Sequence, residues 1–87
     1  MEHAKIVKAA QSGDNAALET LYKEYAKQVY FLSLKLLKSK EDAEDMTQEV
    51  FIYVFQKIKE LKEPEAFPAW LNASAASQYG NRRDQWL

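Results

Sequence analysis

Residues 41–51 read EDAEDMTQEVF and hold five carboxylates with no basic residue among them, then run into apolar side chains. Clustered carboxylates can bind a hard cation, run acid–base chemistry, or pair with basic groups of a partner. Asp42, Asp45 and Glu49 could share one helix face. A carboxylate metal site inside a helical bundle also draws on acids from other helices and on a Glu-x-x-His pair. This sequence has no second acidic helix and no such pair, and its one histidine, His3, stands near the start. It contains no Ser-His-Asp set, no glycine-rich phosphate loop and no cysteine. The expectation is a protein that is not an enzyme and needs no cofactor or metal. Pairing with a partner remains, beside the plainer alternative of a solvated acidic face.

At about 100° per residue the stretch from residue 40 onward separates into two faces. Ala43, Thr47, Val50, Val54, Ile58 and Leu61 gather on one side, flanked by Met46 and Phe51, and form the expected core face. Asp45, Gln48, Glu49, Ile52 and Gln56 fall opposite. Ile52 is an apolar side chain at the centre of a polar face. A single exposed isoleucine needs no explanation by itself. The same pattern suits a docking face, with carboxylates for Arg or Lys, an amide for backbone groups and Ile52 as an apolar anchor. Glu41, Asp42 and Glu44 are also explained by the helix dipole, which favours negative charge at a helix start. Glu49, two turns in, is less so.

The elements that would position this face are helical. Only two Gly and two Pro occur in 87 residues, and β-branched residues are sparse, as in an all-α domain. The periodicity predicts helices over residues 3–11, 16–38, 40–61 and 68–79. Gly13 stops the first, and Asp14 or Asn15 caps the second. In the second, Leu18, Leu21, Tyr22, Tyr25, Val29, Leu32 and Leu36 form a stripe. Ser39, with Asp42 three residues on, resembles a capping box. Pro64 and Pro68 make residues 62–68 a loop, with Pro68 as the first residue of helix four. Gly80 weakens or ends that helix, and NRRDQWL continues it or frays, with Trp86 and Leu87 as terminal apolar residues. The fold class is a small three- to four-helix bundle.

The length allows one domain, residues 1–87, with a modest core. The start lacks a signal peptide, and no run approaches the roughly 18 apolar residues of a membrane span. A cytoplasmic protein without membrane insertion follows as the default. The net charge of −1 does not suit a free-standing nucleic-acid binder. The charge is nevertheless segregated. Residues 1–40 carry seven Lys against four acids, net +3; residues 41–65 carry three Lys against eight acids, net −5; residues 66–87 carry Arg82, Arg83 and Asp84, net +1. Such polarity suggests more than one partner surface.

Residues 18–71 resemble region 2 of bacterial RNA polymerase sigma factors of the sigma-70 family, nearest the extracytoplasmic-function (ECF) class. The signals are Leu-Tyr-x-x-Tyr at 21–25, DAED-x-x-QEVF at 42–51 and F-x-AWL at 67–71. The resemblance implies a small helical domain whose acidic helix docks on the clamp helices of the polymerase β′ subunit. Asp45, Gln48, Glu49, Ile52 and Phe55 fall on the core-binding positions. It further implies that the loop before the last helix, with that helix, captures unpaired bases of the non-template strand of the promoter −10 element. The matching residues are Lys62, Trp70, Asn72, Ser74, Ser77, Gln78, Asn81, Arg82 and Arg83. Amides and hydroxyls would read bases, and the arginines would meet phosphates. Phe67 and Trp70 could stack on bases, but they suit a core role pinning the loop better.

After AWL the family continues with a pattern like Arg-Ile-Ala-x-Asn, where this chain has Ala73, Ser74 and Ser77. Nothing here resembles region 4, the helix-turn-helix that reads the −35 element. The reading is a transcription initiation domain that docks on polymerase core and helps recognise and melt the −10 element. One rival is a sigma-like interaction module that binds polymerase or an anti-sigma factor without reading DNA. A metal-binding bundle enzyme is the other.

Overall fold

A computed structural model describes the backbone of residues 2–86 and the side chains of residues 3–81. Four helices occur among them: α1 (Glu2–Gln11), α2 (Asn15–Leu37), α3 (Lys40–Lys57) and α4 (Phe67–Trp86). Two 3₁₀ turns, Ile58–Glu60 and Pro64–Ala66, lie between α3 and α4. No strand occurs among the described residues, so the all-α expectation holds.

The first two junctions follow local chemistry. Gly13 adopts φ 94°, a left-handed conformation that a Cβ disfavours, and turns the chain out of α1. Asp14 caps α2, its Oδ1 accepting from the amides of Ala16 at 2.9 Å and Ala17 at 3.3 Å. α2 ends at Leu37, and Lys38 takes the left-handed position (φ 58°) with its amide donating to the Leu34 carbonyl at 2.7 Å. Ser39 caps α3 through a longer bond, 3.4 Å from the Asp42 amide to its Oγ.

α3 is the central helix and packs against both α2 and α4. Ala43, Met46, Thr47, Val50, Phe51 and Val54 are its buried residues. Met46, Val50, Phe51 and Val54 share one core with Val7 and Ala10 of α1, Leu21 and Val29 of α2, and Phe67, Leu71 and Ala75 of α4. Thr47 is a polar member of this face. Its hydroxyl donates back to the Ala43 carbonyl at 2.7 Å, so it carries no unpaired donor into the core.

The third helix is shorter than its periodicity suggests. It stops at Lys57, and Ile58–Glu60 tightens into a 3₁₀ turn. A side chain of α1 meets the chain at that point. Gln11 Nε2 donates to the carbonyls of Ile58 at 2.9 Å and Leu61 at 2.7 Å, satisfying acceptors at the point where the helix ends. Pro64 opens the second 3₁₀ turn. α4 then starts at Phe67, one residue earlier than expected, with Pro68 in its first turn, where a missing amide donor costs nothing.

Phe67 is fully buried and sits between three elements. Its ring centroid lies 6.0 Å from that of His3, 5.4 Å from Tyr25 and 6.1 Å from Trp70. The Tyr25 hydroxyl and His3 Nε2 share a hydrogen bond. The core role expected of Phe67 is the observed one.

α4 does not end at Tyr79. It runs through Gly80 to Trp86, because a helical glycine costs about 1 kcal/mol without breaking the hydrogen-bond ladder. The side chain of Trp86, and the whole of Leu87, lie outside the described residues.

Three predictions follow from this packing. Phe67→Ala should lower the unfolding free energy by about 3–5 kcal/mol, measured by urea titration. Nothing lies within 4 Å of a Cβ built on Gly80, so Gly80→Ala should raise stability by about 0.5–1 kcal/mol. Burial, with the Glu24 carboxylate second, pushes the Tyr25 phenol above its usual pKa. The unfolded chain therefore releases this proton first as pH rises. Tyr25's contribution is intact below about pH 10 and is lost as pH climbs through the raised folded value. Tyr25→Phe should flatten the alkaline decline in stability when unfolding is followed between pH 9 and 11.

Candidate docking face and nucleic-acid interface

With one side of α3 buried, the other side is directed outward by geometry. Asp45, Gln48, Ile52 and Gln56 are exposed and Glu49 is half-buried. Ile52 is 58% exposed, the most open large apolar side chain among the described residues. The face predicted by periodicity is therefore formed, as a ridge with Ile52 near its middle. Phe55 stands apart from the ridge. It is half-buried, with its ring 5.7 Å from that of Phe51 and its side against the core.

Two hollows flank the ridge. Near the start of α3, Glu41, Asp42, Glu44, Asp45 and Gln48 line an acidic concavity. Further along, Glu49, Ile52, Tyr53 and Gln56 line a hollow of about 240 Å³ whose far wall is Gln78 of α4. Negative charge is concentrated at the helix start, where the dipole favours it, and apolar surface appears one to two turns later. Such a surface suits a partner carrying basic groups around an apolar contact. Gln56 joins the hollow from the outer face on which its spacing from Ile52 places it; Tyr53, which the sequence reading does not single out, is the added wall.

The residues expected to read DNA divide. Asn72, Ser77 and Asn81 are exposed on α4, spread over about half of the helix circumference, with Ser77 and Asn81 neighbours four residues apart and Asn72 well round the helix from both. Asn72 Oδ1 accepts a long bond of 3.4 Å from Gln28 Nε2 of α2. Lys62 is exposed on the connection between the two 3₁₀ turns. Trp70 is half-buried against the core beside Phe67.

Ser74 does not join them. It is 6% exposed, and its hydroxyl donates to the Trp70 carbonyl at 2.9 Å. It occupies a core-facing position, so its one donor is used within its own helix. Gln78 also departs from the exposed side. It is half-buried and turned to α3, where it closes the hollow beside Ile52. The side chains of Arg82 and Arg83 lie outside the described residues.

Among the described residues no group of three or more His, Cys, Asp or Glu is placed to hold a metal ion. No helix among them is long and apolar enough to cross a membrane.

The Sigma-70 region 2 family model matches residues 21–84, which include α3, both 3₁₀ turns and nearly all of α4. The chain is also similar to the ECF RNA polymerase sigma factor SigE of Mycolicibacterium smegmatis, with 39% identity over 64 residues. That match takes in 70% of this chain and 24% of the relative, so the chain spans about a quarter of the length of the protein it resembles. No solved structure matches at a comparable level. The family match takes in both the acidic ridge and the exposed side of α4, and this chain belongs to the sigma-70 region 2 family, as its ECF-type sequence signals imply.

Proposed function

We propose that this domain serves transcription initiation by docking on RNA polymerase core through the outer face of α3. Asp45, Gln48, Glu49 and Ile52 form the docking ridge, and Phe55 supports it from the core side. The partner element is the β′ clamp-helix region, and the setting is the cytoplasm. The observation that carries this reading is Ile52, 58% exposed within a polar face on the family-matched helix whose other face is the core. An apolar anchor ringed by groups that pair with basic side chains is the pattern of an interface centre.

The second half of the proposal concerns the −10 element. Asn72, Ser77 and Asn81 at exposed positions of α4, with Lys62 on the preceding loop and Arg82 and Arg83 further along the chain, meet unpaired non-template bases. Trp70 holds the loop against the helix. Binding unstacked bases in preference to paired ones shifts DNA toward the melted form without any catalytic step. Few cations are available for phosphates, so affinity for DNA depends on the polymerase being present.

A reading without DNA recognition has its own support. Ser74 faces the core and Ala73 carries no charge, so α4 offers fewer reading groups than the family pattern. The same face of α3 would then serve polymerase or an anti-sigma factor alone.

One experiment addresses docking and a second separates the two readings. Gln48→Ala/Glu49→Ala should reduce capture of polymerase core, or of its clamp-helix fragment, by at least about tenfold while circular dichroism stays unchanged. Undiminished capture would sink the assignment of the ridge. A core-dependent, salt-sensitive affinity for a single-stranded −10 oligonucleotide, weakened by Asn72→Ala/Ser77→Ala, is expected if α4 reads DNA. An oligonucleotide affinity indifferent to those changes would favour the interaction module.

A further inference from the structure

The flank of α3 that faces α2 carries a groove that shares only Gln48 with the docking ridge. Tyr22, Ala26, Lys27, Tyr30 and Phe31 of α2 and Glu44, Thr47 and Gln48 of α3 line an open groove of about 530 Å³. Phe31 is 54% exposed and Tyr22 39% exposed, although Tyr22 also packs edge-on to Phe51 with centroids 5.0 Å apart. Leu36, further along α2, is exposed as well. Three of the four exposed large apolar side chains among the described residues thus stand on one helix, two of them in one groove.

The charges on the two walls decide what fits. The α2 wall carries Lys27, whose ammonium lies 6.0 Å from the Phe31 ring centroid. The α3 wall carries Glu44, which also lines the acidic concavity with Glu41 and Asp42. A basic helix laid in the groove meets repulsion from Lys27, and an acidic one meets repulsion from Glu44. A surface with one cation and one anion across an aromatic floor complements its own copy turned by a half-rotation, since each positive wall then faces a negative one.

We propose that this groove is a self-association surface. Two copies of the chain meet across a two-fold axis, with Phe31 of each over the aromatic floor of the other and Lys27 of each opposite Glu44 of the second copy. Gln48 lines the groove and also belongs to the docking ridge, so the pair and a partner docked on α3 exclude one another. Self-association does not depend on that docking reading and is measured without polymerase.

Sedimentation velocity on this chain, from micromolar to millimolar concentration and at low and high salt, tests the proposal. A dimer is expected that dissociates on dilution and more readily at high salt. Lys27→Glu alone and Glu44→Lys alone each oppose like charges twice and should weaken association at least about tenfold. An equimolar mixture of the two variants places unlike charges opposite again and should restore it. Phe31→Ser should abolish it, with circular dichroism unchanged. A wild-type chain that stays monomeric throughout, or a mixture no better associated than either variant alone, overturns the proposal.

Discussion

The burial of one face of α3 is the constraint on which the rest of the molecule depends. Met46, Val50, Phe51 and Val54 must leave water together, and only one rotation of the helix about its axis allows it. That rotation leaves Gln48, Ile52 and Gln56 no choice of direction. The core thus aims the outer ridge, and a change of register within the bundle would move every group on it at once. A docking surface on such a helix is preorganised, because its backbone is held by contacts the partner never touches.

The second constraint lies at the connection between α3 and α4. A stretch made of two 3₁₀ turns and a proline, Pro64, has few backbone hydrogen bonds of its own. It is held from outside. Gln11 takes the carbonyls of Ile58 and Leu61, and Phe67 fills the space between His3, Tyr25 and Trp70. The loop carrying Lys62 is thereby tied at both ends to helices that precede it in sequence. Its tip remains exposed while its ends are fixed, which suits a segment that must present side chains at a set position.

Much of this was legible in the sequence because the signals were local. Gly13, Asp14 and Ser39 mark helix ends by their own conformational chemistry, and the apolar period of residues 43–58 identifies the buried face of α3. The bonding at the end of α3 was not legible, since the group that takes its carbonyls, Gln11, is 47 residues away from Ile58. Gly80 misled in the opposite direction: its cost is real but smaller than the continuity of the helix around it. The reading residues of α4 were assigned by matching positions to a family pattern. That procedure cannot tell a serine that faces solvent from one, such as Ser74, that serves as a small core residue. Here the weak apolar stripe of α4 hid which side faces inward, because two of its buried residues, Ala75 and Ser74, are not strong hydrophobic markers.

The double hydrogen bond from Gln11 has a consequence for where this domain begins. The family signature starts at residue 21, yet α1 contributes Val7 and Ala10 to the core and the side chain that closes the end of α3. The stretch recognisable by sequence is therefore smaller than the unit that folds. A fragment cut at the signature's edge would keep every residue of the docking ridge and lose the clasp that orders the loop beyond it.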